Sequence, residues 1–107
     1  MTQEEALRKL EELNIRFVED SDGLIRTPCG RCPIVALAEA MQPESVYTNE
    51  EWENAASDIG LTSADGEDIV DAADDTCTAT VRRNKIIETR KTLKALCAAK
   101  PQTPEQV

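Results

Sequence analysis

Apolar residues recur at helical spacing in five stretches of this chain, and two brief extended runs interrupt them. Ala6, Leu7, Leu10 and Leu13 stand three and four apart, which predicts a helix over Gln3 to Leu13. Thr2-Gln3-Glu4-Glu5 just before this stripe is a capping box, in which the Thr2 hydroxyl accepts from the Glu5 amide and Glu5 reaches back. Asn14 can close the helix in a left-handed conformation. Ile15-Arg16-Phe17-Val18 and Leu24-Ile25-Arg26-Thr27 then read as extended runs around the turn residues Asp20-Ser21-Asp22-Gly23, a β-hairpin pattern. Two strands alone are marginally stable, so this hairpin is expected to lie on the helices.

Pro33 to Met41 carries one charge, Glu39. A helix this apolar all round belongs at the buried centre of the fold. Pro33 suits its first turn and Pro43 marks its end. Thr48-Asn49-Glu50-Glu51 is a second capping box, followed by the stripe Trp52, Ala55, Ala56 and Ile59. Gly60 is placed to stop that helix, and Thr62 to cap the next, with Asp65 three residues on. Ala64, Ile69, Val70, Ala72 and Ala73 would supply the buried side, so the two helices form a tight hairpin through Gly60-Leu61-Thr62. The longest helix is expected from Ala79 to Ala98, with Ala79, Ile86, Leu93 and Cys97 on one line and Leu96 beside it. Pro101 and Pro104 lie in a polar segment, which reads as a mobile C-terminal tail over 100–107. The expectation is a mainly α fold: a single small domain over 1–99, about five helices with one β-hairpin between the first and second.

Composition sharpens this picture. Leu, Ile, Val and Phe total 22 of 107 residues, Ala adds 13, and the aromatics are Phe17, Tyr47 and Trp52. Such a core is small, aliphatic and lined by Ala. No apolar run approaches the roughly 20 residues of a membrane span, so no membrane association is expected. The polar, acidic N-terminus does not resemble a targeting segment, and a cytoplasmic location is expected. The absence of His removes the commonest acid/base and the commonest metal ligand. With four Gly there is no phosphate-cradling loop. No catalytic activity and no cofactor are expected.

The net charge of −9 is unevenly placed. Between Arg31 and Arg82 lie fifty residues without Lys or Arg, holding 12 acids, whereas seven bases and one acid occupy Arg82 to Lys100. Two arrangements fit. The acidic helices can pack beside the basic one and partly neutralise it. Alternatively, the helices spanning Glu50 to Asp75 face a basic partner. The leading functional expectation is a small acidic binding or adaptor protein, without enzymatic activity, docking on a basic protein surface. Glu50, Glu51, Glu53, Asp58, Glu67, Asp68, Asp71 and Asp75 are its candidate partner-binding residues. An inhibitor imitating nucleic-acid charge is one form of the idea. Direct nucleic-acid binding is disfavoured, because the helix after the Gly60 turn would carry Asp65, Glu67, Asp68 and Asp71 towards phosphates. Arg90 lies close to the apolar line of its helix. It is expected to bury its stem and reach a carboxylate between Glu50 and Asp75.

The alternative is a thiol-based protein. Cys29-Gly30-Arg31-Cys32-Pro33 ends at a predicted helix start, where the helix dipole and Arg31 can lower a thiol pKa. Cys29 and Cys32 then form a redox pair or one edge of a zinc site. A four-Cys site would need Cys77 and Cys97, which are twenty residues apart and lack the two close pairs of structural zinc sites. Cys97, on the apolar line, reads as a core thiol.

Overall fold

The computed structural model describes residues 1–98, and the expected tail over 100–107 lies outside them. Among the described residues there are five α-helices: α1 Gln3–Glu12, α2 Pro33–Met41, α3 Trp52–Asp58, α4 Ser63–Asp74 and α5 Thr80–Ala98. One antiparallel pair, β1 Val18–Glu19 and β2 Ile25–Arg26, stands between α1 and α2.

Local chemistry sets the boundaries. Thr2 Oγ1 accepts from the Glu5 amide at 3.2 Å and Glu5 Oε1 from the Thr2 amide at 2.7 Å. This capping box starts α1 and lowers the Glu5 pKa, first through the Thr2 backbone hydrogen bond. Asn14 follows α1 at φ 58°. In the hairpin, Asp20 Oδ1 accepts from the amides of Asp22 and Leu24, both at 2.9 Å, and Gly23 takes φ 83°. Pairing is shorter than the sequence predicts and shifted by one residue into Glu19, with Val18 opposite Arg26 and Glu19 opposite Ile25. Phe17 leaves the strand to become one of the most buried side chains.

α2 is the centre. Ile34, Val35, Leu37 and Ala38 have no solvent exposure, and α1, α3 and α4 all pack on it. The turn before α3 departs from the expectation. Asn49–Glu51 forms a single 3-10 turn, because the Glu51 amide donates to the Thr48 carbonyl three residues back. The stop at Gly60 follows the sequence signal: Gly60 has φ 80°, and the Leu61 amide reaches back to Ala56 O at 2.9 Å. Leu61 is then buried and Thr62 Oγ1 caps α4 through the Asp65 amide.

The buried face of α4 is Gly66, Asp68, Ile69, Ala72 and Ala73. Ala64 is exposed, contrary to the predicted stripe, and Val70 is half-buried at the edge of the core. Gly66, which the stripe omits, makes the contact with α3. A Cβ there would lie 3.2 Å from Trp52 Cζ3 and 3.3 Å from Ala56 Cβ. A mid-helix Gly costs about 1 kcal/mol relative to Ala, and here it lets α3 approach α4 with the indole between them.

α4 and α5 share the most extensive helix contact, and Ile69 of α4 and Ile86 and Leu93 of α5 are all fully buried. Cys97 is only half-buried, so it sits at the rim of the core instead of inside it.

Candidate functional site

The eight acidic residues singled out by the sequence fall into two groups. Glu67, Asp68, Asp71 and Asp75 belong to α4 and its C-terminal end. Arg82 on α5 reaches Asp68, Asp71 at 3.2 Å and Glu67 at 3.9 Å. Lys85 lies 3.6 Å from Asp68, and Arg83 3.0 Å from Asp75. Asp68 is only 8% exposed, and its hydrogen bond is the chief cause that raises the Arg82 pKa. Asp74, outside the eight, pairs with Arg26 of β2 at 2.6 Å.

These pairs correct a mismatch of charge with helix polarity. Acids at the end of α4 and bases at the start of α5 each oppose the local dipole. Bringing the two ends together lets each set neutralise the other. Arg90 completes the junction. Its Nη1 donates to the carbonyls of Ala72 (2.6 Å) and Ala73 (3.3 Å), which lie in the last turn of α4. Its Nη2 donates to Gly23 O in the hairpin turn and pairs with Glu19 at 3.1 Å. The acid that answers Arg90 is therefore Glu19, not one between Glu50 and Asp75 as the charge pattern suggested. The hairpin lies against α5 and brings Glu19 there.

Glu50, Glu51, Glu53 and Asp58 form the second group, on the 3-10 turn and α3. None has a cation within 4.0 Å among the described residues. Glu51 is used as a cap, accepting from the Thr48 amide at 2.8 Å. Asp58 accepts from the Tyr47 hydroxyl, a bond that raises the Tyr47 pKa, with burial adding to it. Glu50 and Glu53 are exposed, and their side chains make no hydrogen bond or ion pair among the described residues. Trp52, half-buried, stands between them in sequence. A cleft of 290 Å³ opens beside it, where the Arg26–Asp74 pair, Glu50 and Cys32 meet the indole. The apolar stripe Trp52, Ala55, Ala56 and Ile59 gives Trp52 only a core role. The signal was available: a single Trp flanked by three Glu residues.

The cysteine loop is built to position α2. Thr27 Oγ1 accepts from the Arg31 amide at 3.0 Å, and Gly30 turns the chain at φ 87°. Asn49 ties the loop to the 3-10 turn, accepting from the Cys32 amide and donating to Gly30 O, both at 2.9 Å. Cys29 is exposed and Cys32 is 2% exposed. Burial pushes the Cys32 thiol up, against the smaller opposing pull of the Ile34 and Val35 amides. The helix N-terminus thus does not activate this thiol, as the sequence suggested it would, because desolvation outweighs it. No group of three Cys, Asp or Glu able to hold a metal occurs among the described residues. No described helix is long and apolar enough to cross a membrane.

No family model matches the chain, and no curated protein or solved structure matches it either.

Proposed function

We propose that this protein is a binding or adaptor protein that docks on a basic surface of a protein partner through the α3 face, with Glu50 and Glu53 as the charged contacts and Trp52 as the anchor. The observation that carries this reading is the division of the acids. Glu67, Asp68, Asp71, Asp74 and Asp75 are answered by Arg or Lys inside the fold, whereas Glu50 and Glu53 have no cation within 4.0 Å among the described residues. Surface acids left unanswered beside a half-exposed Trp fit an interface, where Trp is enriched among the residues that dominate binding. The reading narrows accordingly from a long nucleic-acid-like array to a short face. Glu51 and Asp58 support that face from within as cap and hydrogen-bond acceptor, without being contacts themselves.

Affinity purification from the native host, read by mass spectrometry at low and high salt, tests the proposal. A specific partner should be recovered at low salt and released as salt rises. The double variant E50Q/E53Q should lose it, whereas E67Q should keep it. Equal recovery by both variants would remove the α3 face from consideration.

A further inference from the structure

Trp52 is the only Trp in the chain, and the 290 Å³ cleft beside it limits what the α3 face can accept. Clefts that enclose whole small ligands run from about 300 Å³ upward, so this one suits a single long side chain. One edge of the indole is taken by α4: a Cβ at Gly66 would stand 3.2 Å from Cζ3 and 3.6 Å from Cε3. The indole also lines the cleft, with half-buried Val70 and buried Cys32 as the other apolar walls. Among the described residues no cation stacks on the ring and its N–H donates to nothing.

The polar groups of the cleft divide into those the fold uses and those it leaves open. Asn49 is used: Oδ1 accepts from the Cys32 amide and Nδ2 donates to Gly30 O, both at 2.9 Å. Arg26 is used as well, its Nη2 donating to Asp74 Oδ1 at 2.6 Å and its Nη1 to Ile25 O at 3.0 Å. The Arg26 charge is thus matched by Asp74, whose Oδ2 makes no bond among the described residues. Glu50 makes none with its side chain either. The cleft therefore holds one carboxylate more than it holds cations, next to an aromatic wall. Its fitting occupant has an apolar stem and a positive head that donates without accepting. Lysine and arginine both meet that description, and the flat wall decides between them. A guanidinium is planar and weakly hydrated, so it lies on an indole and still presents a fork of N–H groups to a carboxylate. A lysine ammonium is a compact, strongly hydrated charge without that second, planar contact.

We propose that the cleft takes an arginine side chain from the partner's basic surface, with its guanidinium on the Trp52 indole and its N–H groups on the Glu50 carboxylate. The inference rests on the α3 face being the docking surface and names the residue type that the partner supplies. Because the chain has a single Trp, its emission reports on this cleft alone. The full chain is titrated, at constant ionic strength, with the capped tripeptide glycyl-arginyl-glycine and with its lysyl counterpart. The arginyl peptide should change the Trp52 emission saturably and bind more tightly than the lysyl one. Glu50→Gln alters an exposed side chain that makes no bond among the described residues. It should melt with the parent and bind the arginyl peptide about fivefold more weakly, the upper end for an exposed ion pair. Glu88→Gln, the same charge change on the exposed side of α5, should bind it like the parent. The arginine assignment is overturned by the lack of a saturable change, by equal affinity for the two peptides, or by equal weakening in Glu50→Gln and Glu88→Gln. The α3 face is judged separately, by whether E50Q/E53Q loses the captured partner. Loss of that partner with no response to the arginyl peptide would keep the face and remove arginine as its occupant.

Discussion

α3 and α4 are joined by the short Gly60 turn, both are acidic, and the fold treats them in opposite ways. Facing α4 is α5, the basic helix of the chain, which supplies Arg82, Arg83 and Lys85 to its carboxylates. α3 packs instead on α2 and α4, neither of which contains a Lys or Arg. Density of negative charge in the sequence is thus a poor guide to a binding surface. The informative quantity is the charge left after the fold has answered what it can. On α4 that remainder is Asp65 among the described residues, and on the 3-10 turn and α3 it includes Glu50 and Glu53.

The strongest way to break this contrast is at Arg90, which ties α4 and the hairpin to α5. Its side chain is 12% exposed and serves three carbonyls and Glu19. Arg90→Ala removes the packed stem and takes this donor from the three carbonyls, while Glu19 keeps Lys94 at 3.6 Å, at an expected cost of about 3 kcal/mol. Lys91 is exposed and makes no ion pair among the described residues, so Lys91→Ala should stay within about 0.5 kcal/mol. Denaturant unfolding of both variants measures the gap, and equal stabilities would mean that Arg90 does not join the two helices energetically.

A smaller effect separates the two acidic helices directly. Asp68→Ala removes a nearly buried carboxylate that serves Arg82 and Lys85. Arg82 retains Asp71 and Glu67, so the loss should be about 1–2 kcal/mol, below that of Arg90→Ala. Glu53→Ala on α3 should change stability by less than about 0.5 kcal/mol, since no bond is removed. If Glu53→Ala were as destabilising as Asp68→Ala, α3 would have a structural charge partner and its role as an open face would fall.

The elements were legible wherever a short-range rule applies. Pro33, the all-apolar run to Met41, Gly60 and Thr62 each act on neighbours within a turn, and each element boundary they imply is found. The adjacency of acidic and basic helices was also readable as one of two arrangements. The rest depends on tertiary distance. Glu19 and Arg90 meet across 71 residues, and no spacing rule in a single sequence links a hairpin acid to a helix arginine. The wrong face assigned to Ala64 has a related cause. Apolar counting passes over Gly66, yet the indole of Trp52 makes the glycine the contact. Cys32 misled in the other direction, because a helix N-terminus is visible in sequence and the desolvation that outweighs it is not.

The smallest effect concerns how α3 holds its own end, and it appears only at alkaline pH. The Tyr47 hydroxyl donates to Asp58 beside Glu39, whose carboxylate accepts from the Tyr47 amide at 3.1 Å. The hydrogen bond to Asp58, then burial, raises the phenol pKa above its usual value of about 10. The folded state therefore keeps this proton at a pH where the unfolded chain has begun to release it. Stability from the bond is complete below about pH 10 and falls as pH rises through the folded value. Tyr47→Phe removes the titrating group and with it this slope. The buried Cys32 thiol, also raised, contributes an alkaline loss of the same sign to both proteins and cancels in the comparison. Melting temperatures from pH 8 to 11 should thus decline more steeply for the parent than for Tyr47→Phe, with the parent the more stable at pH 8. Parallel declines would show that Asp58 is not held by Tyr47, and would return Asp58 to the open acids of the α3 face.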